Sequence, residues 1–128
     1  MENFYLIHLC EVKKFRVFLN CSNSDVIKKF NQINRDPKAI KKFVLVIEAV
    51  KANVANKTQF NKEGSCDLGD IYAIKVNNHR FYTLVCKKGG YKELYISRYG
   101  RKQSQKNSKK LTTTINSIAK VSFQILLK

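Results

Sequence analysis

Lys75, Arg80, Tyr99, Arg101 and Lys102 are the residues of this chain whose types suit chemistry on a phosphate. The planar fork of an arginine matches phosphate oxygens and steadies the negative charge that gathers on them. A lysine crowded by cations and partly buried falls from its ordinary pKa of about 10.4 and can then take up a proton. A tyrosine can supply a proton or offer its ring to a base. His79 is the alternative acid–base group, with an ordinary pKa of about 6.5, although its place beside a tight turn also suits a solvated ring. Otherwise His79 groups with the RNA-binding residues Arg98, Lys106, Lys109 and Lys110, which continue the basic stretch "RYGRKQSQKNSKK" and suit holding phosphates rather than moving protons. Each residue also has a plainer role. Lys75 alone is a solvated strand lysine, Arg80 a capping group or a partner for Glu93, and Tyr99 edge packing. Only convergence in space makes them a site.

The elements that would bring them together are legible. "IYAIKV" (71–76) and "RFYTLVCK" (80–87) flank Asn77-Asn78, a tight-turn dipeptide, and "KGGY" turns the chain into "ELYISRY" (93–99). Short turns between three strand-like runs predict an antiparallel meander. Its first and third strands run parallel, so Lys75, Arg80 and the Arg98–Lys102 region are expected at one end of one sheet. Alternation puts Ile71, Ala73 and Lys75 on one face and Tyr72, Ile74 and Val76 on the other, more core-like face. Earlier in the chain, "FYLIHL" and "FRVFLN" read as strands. Val26, Phe30 and Ile33 recur at helical spacing, and Asp36-Pro37 suits an N-cap and first turn for a second helix. Its apolar stripe is Ile40, Phe43, Val44, Ile47 and Val50. Residues 56–69 read as a polar loop. After the basic stretch, Leu111, Ile115 and Ile118 share a helical face, while the tail "VSFQILL" is equally compatible with a strand. The expectation is one α+β domain over residues 1–128: a small antiparallel or mixed sheet, a helical hairpin on one face, and a C-terminal helix. The other face of the sheet is expected to meet water or a partner.

Charge narrows the partners. Lys and Arg number 25 and Asp and Glu 9, for a net charge of +16. Residues 1–70 carry twelve bases and eight acids, whereas residues 71–128 carry thirteen bases and one acid, Glu93. A one-signed field over half a small domain attracts polyanions, of which nucleic acid is the commonest. A merely basic surface has the same composition. Cys10, Cys21, Cys66 and Cys86 form no C-x-x-C pair and only two histidines are present, so no zinc site or other cofactor is expected. Cys10, Cys21 and Cys86 lie among apolar residues as small hydrophobes, while Cys66 sits in the polar loop. With no apolar run long enough to span a bilayer and no secretory leader at the N-terminus, a cytoplasmic location and no membrane partner are expected.

The meander "GDIYAIKVNNHRFYTLV", then "ELYISRYGRKQSQ", preceded by a helical pair, resembles the RelE/HigB-type toxins of bacterial toxin–antitoxin systems. The resemblance spans roughly residues 15–120 and rests on the order of elements and basic positions. It implies a RelE-like fold and a metal-independent endoribonuclease that cleaves messenger RNA, on the ribosome or free of it, and so inhibits translation. Lys75 takes the basic place on the family's strand, with Ala73 where some members have a second lysine. Arg80 resembles the arginine opening the next strand, and Gly100-Arg101-Lys102 the glycine followed by two bases. A C-terminal tyrosine found in some members has no match. The implied partners are a cognate, acidic antitoxin encoded nearby, mRNA and the ribosome, and operator DNA reached through the antitoxin.

Such enzymes remove a proton from the ribose 2′-hydroxyl, stabilise the phosphoryl oxygens and protonate the leaving 5′-oxygen. The residues suggest Lys75 as base, Arg80 with Arg101 or Lys102 as phosphate clamp, and Tyr99 as acid or stacking surface. Two other classes fit the composition: a basic RNA- or DNA-binding module without catalysis, and an interaction protein whose positive face docks an acidic partner.

Overall fold

The computed structural model describes residues 2–12, 15–88, 90–101 and 123–126. Two strands, β1 (Glu2–Val12) and β2 (Phe15–Asn20), lead into helices α1 (Ser24–Asn34) and α2 (Pro37–Lys51). Strands β3 (Phe60–Cys66), β4 (Gly69–Val76), β5 (His79–Lys88) and β6 (Tyr91–Arg101) follow, and β7 (Phe123–Leu126) closes the chain. The strands form one mixed sheet in the order β3-β4-β5-β6-β2-β1-β7. The β2–β6 and β1–β7 pairs are parallel and the others antiparallel. The protein is therefore α+β with a mixed sheet and a helical pair.

Local chemistry sets the helix boundaries. The Asn23 side chain accepts from the Val26 N–H, and Asp36 accepts from the Lys38 and Ala39 N–H groups with Pro37 in the first turn. These caps satisfy donors that a helix start leaves without partners. At the other end of α2, Asn53 adopts a left-handed conformation (φ 61°) and Val54 N donates to Ala49 O, which stops the helix.

Both helices press on one face of the sheet. Val26, Phe30 and Ile33 of α1 and Phe43, Val46, Ile47 and Val50 of α2 join Phe15, Val17 and Leu19 of β2 with Ile74, Val76, Phe81, Leu94 and Ile96. Phe43 meets Phe30 and Phe81 edge-on, at centroid distances of 5.4 and 5.7 Å. In α2 the buried positions are Ala39, Phe43, Val46, Ile47 and Val50, so Ala39 and Val46 take the places expected of Ile40 and Val44, which are only partly buried.

Two expectations are corrected. Residues 56–69 are not a loop throughout: Phe60–Cys66 is an edge strand paired with β4. Its polar composition hid it, because an edge strand gains its hydrogen bonds from one side and needs few apolar residues. The second face of the sheet is also not left to water. Phe4, Phe18, Ile71, Ala73, Tyr82, Leu84 and Tyr95 form a second buried cluster there, and Phe18 stacks on Tyr95 at 4.9 Å. Both faces of the central strands are therefore buried, so β4 does not divide into a core face and a wet face. Cys66 and Cys86 pack against this second cluster, so Cys66 is a strand-end residue rather than a loop thiol. The expected helix after residue 110 lies outside the described residues. The tail takes the strand alternative at Phe123–Leu126, alongside β1.

Candidate functional site

The meander brings the basic residues to one end of the sheet. Lys75 pairs directly with Arg80, Arg80 with Gly100, His79 with Arg101, and Tyr82 with Arg98. A two-residue turn, Asn77-Asn78, makes the register possible. Asn77 carries the positive φ (55°) that such a turn demands. The turn is tied down from two sides. Arg80 Nη1 donates to Asn77 O at 2.7 Å and to His79 O at 3.1 Å, and Lys42 Nζ of α2 donates to Asn77 Oδ1 at 2.6 Å.

Directly opposed residues of an antiparallel pair share a face, so the register also divides the group. Lys75, Arg80 and Arg98 belong to the face away from the helices, and His79, Tyr99 and Arg101 to the helix face. A β-bulge makes this division. Tyr82 opposes Arg98 but Thr83 opposes Ile96, so Ser97 is an extra residue in β6. It reverses the alternation of everything after it. Without it Tyr99 would share a face with Lys75; with it, Tyr99 shares a face with His79.

On the helix face His79 and Tyr99 form a hydrogen-bonded pair through Nδ1 and the phenol oxygen. Tyr99 is half-buried and packs edge-on against Phe81 at 5.3 Å. Lys29 of α1 places its Nζ 5.6 Å from the centre of the Tyr99 ring. Burial, then Arg101, Lys29 and Arg80 in that order, push the His79 pKa below 6.5. The imidazole is therefore neutral at pH 7. Burial raises the Tyr99 pKa; Arg101 opposes that rise and Asp25, at the start of α1, adds to it. Tyr99 thus keeps its proton at neutral pH. A neutral imidazole hydrogen-bonded to a protonated phenol, with three cations within electrostatic reach, can accept one proton and donate another beside a bound anion.

Lys75 stands apart from this pair. Its Nζ donates to Lys57 O at 2.9 Å, where the chain enters β3. Arg98 Nη1 donates to Ser97 O at 2.9 Å. The carboxylate of Glu93 is taken by other groups: Arg16 at 3.8 Å and the hydroxyl of Tyr95 at 2.9 Å. Arg80 has no part in that cluster. Tyr82 and Tyr95 are core residues of the second cluster, and Tyr72 stacks on Phe60. Lys102, Lys106, Lys109 and Lys110 lie outside the described residues. Sequence reasoning missed Lys29 and Asp25. Their i, i+4 spacing puts both on one side of α1, but nothing local shows that this side meets Tyr99. Among the described residues no three His, Cys, Asp or Glu side chains gather in a way that could hold a metal ion. No described helix is long and apolar enough to cross a membrane.

No protein-family model, curated protein or solved structure matches this chain. What the fold itself presents is a hydrogen-bonded histidine–tyrosine pair set in the basic end of a mixed α+β sheet.

Proposed function

We propose that the chain binds RNA at this basic end and cleaves it without a metal, with His79 and Tyr99 as the acid–base pair. The observation that carries the reading is the hydrogen-bonded pair of neutral His79 and protonated Tyr99 within reach of Arg101, Lys29 and Arg80. In the productive tautomer His79 Nδ1–H donates to the Tyr99 oxygen, which leaves Nε2 to take the proton of a ribose 2′-hydroxyl. The 2′-oxygen bonds to the neighbouring phosphorus as the bond to the 5′-oxygen breaks. Tyr99 gives its proton to that leaving oxygen and recovers one from Nδ1. The products are a 2′,3′-cyclic phosphate and a 5′-hydroxyl. Arg101 and Lys29 offset the charge on the phosphoryl oxygens. In this scheme Lys75 gives up the role of base to His79 and serves, with Arg98, to hold the strand. The setting implied by the resemblance, a RelE-like toxin that inhibits translation and is silenced by an acidic antitoxin, accords with this chemistry and with the charge.

The test is cleavage of a labelled RNA by purified protein, alone and with translating ribosomes. His79→Gln and Tyr99→Phe should each slow cleavage by about 100-fold, the usual worth of a positioned acid or base, while RNA affinity stays within a few-fold. Wild-type cleavage by His79→Gln would remove the pair from the mechanism. Growth arrest on expression, relieved by the same substitutions, tests the toxin setting separately. A second reading, RNA binding without cleavage, is favoured by the position of Lys75, Arg80 and Arg98 on the face away from the pair. It predicts salt-sensitive binding with intact RNA in every assay.

A further inference from the structure

At the opposite end of the meander, also on the helix face, the sheet opens into a cleft of about 280 Å³ below the end of α2. Lys87 and Lys92 line it and oppose each other directly across β5 and β6. Like charges in that position destabilise a sheet, and Lys87 together with burial pushes the Lys92 pKa down, burial being the larger cause. Asp70, the one carboxylate among the described lining residues, lies 3.4 Å from Lys62 and is offset by it. The facing wall is aromatic: Tyr72 and Phe60, both partly exposed, stack at 4.4 Å with their planes 6° apart. Asn53 completes the rim with a side-chain amide. Three carbonyls of the last turn of α2, those of Glu48, Ala49 and Val50, already accept from the N–H groups of Ala52, Val54 and Asn53 in turn.

We propose that this cleft is a second ligand site, distinct from the His79 pair, that takes a nucleotide: phosphate between Lys87 and Lys92, base against the Tyr72–Phe60 wall. A phosphate group carries the charge that would relieve the opposed lysines. A planar base matches the stacked rings, and Asn53 and Asp70 can hydrogen-bond to its edge or to the ribose. The volume suits a single nucleotide rather than a duplex. The nucleotide is either free or the terminal residue of an RNA strand. The site does not depend on the cleavage reading, because none of its residues belongs to the His79 pair.

Binding of AMP, adenosine, inorganic phosphate and a 5′-phosphorylated single-stranded RNA tetramer to the full chain would be followed by heteronuclear NMR. AMP should shift the amides of residues 70–72 and 85–92, and Lys87→Gln with Lys92→Gln should weaken it at least tenfold. Tyr72→Leu should weaken AMP several-fold while leaving inorganic phosphate unchanged. Far-UV and near-UV spectra matching wild type would show that these variants fold, and Lys92→Arg, which keeps the charge, should restore binding. Tighter binding of the tetramer than of AMP, read at the amides of residues 85–88 and lost in the double lysine variant, would make the ligand an RNA end; the reverse would make it a free nucleotide. Adenosine binding as tightly as AMP, or AMP binding unaffected by the double lysine variant, would overturn the proposal. His79→Gln should leave AMP binding intact, so failure of the cleavage reading and of this one are separable.

Discussion

At the scale of single residues, the charge state of His79 is the quantity on which the proposed cleavage turns. Burial acts first, and Arg101, Lys29 and Arg80 add to it; all four disfavour the imidazolium. A base must be unprotonated to act, so activity should hold as pH falls through 6.5 and fail only below it, at the lowered folded-state pKa. Arg101→Gln removes the largest charge effect and should move the acid limb of the profile up toward 6.5, as read from cleavage rates and from the His79 ring signals in an NMR titration. Stability follows the same sign. The unfolded chain protonates His79 at about pH 6.5 and the folded chain lower. The folded state therefore loses stability as pH falls from about 6.5 to the folded-state pKa, a loss that Arg101→Gln should reduce. An acid limb unmoved by Arg101→Gln would mean that His79 is not the titrating base.

At the scale of elements, the meander holds the site and two small features keep it in register. One is the Ser97 bulge, which brings Tyr99 and Arg101 to the helix face. The other is Gly69, where β4 begins with φ +154°. A Cβ there would lie 2.3 Å from Val85 O, a backbone atom that cannot swing aside. Gly69→Ala should cost about 2 kcal/mol or more, from backbone strain of roughly 1–3 kcal/mol with the clash added, as measured by urea unfolding. A loss below about half a kcal/mol would show that the strand start relaxes freely. The helices and the tight turn were readable, because caps, apolar spacing and the Asn77-Asn78 turn are local signals. Strand β3 was not, since its partner lies across a turn and its own residues are polar. The bulge was also hidden: nothing in "LYISRYG" marks which residue the opposing strand will skip.

At the scale of the whole molecule, the charge of +16 has a geometric outlet. Lys75, Arg80, Arg98 and Arg101 come from three strands to one sheet end, and Lys29 and Lys42 of the helices approach the same end. Polyanion binding by such a surface releases counterions, at about 0.7 per phosphate contact for single strands. The logarithm of RNA affinity should therefore fall with the logarithm of salt at a slope of about −3 or steeper if five cations engage. Lys75→Gln with Arg98→Gln should flatten that slope by about 1.4 while sparing cleavage chemistry at saturating RNA. An unchanged slope would place the RNA elsewhere on the protein.

By itself the sequence determined the α+β class, both helices with their caps, the meander, and the gathering of basic residues at one end. These follow from period, turn chemistry and the parallel run of alternate strands, all properties of nearby residues. Only the tertiary structure decided which basic groups share a face, that His79 meets Tyr99 under Lys29, that Arg16 rather than Arg80 takes Glu93, and that both sheet faces are buried. Those outcomes depend on register, a single bulge and helix placement. One residue's slip in any of them turns a side chain to the other face, and composition is silent about such a slip.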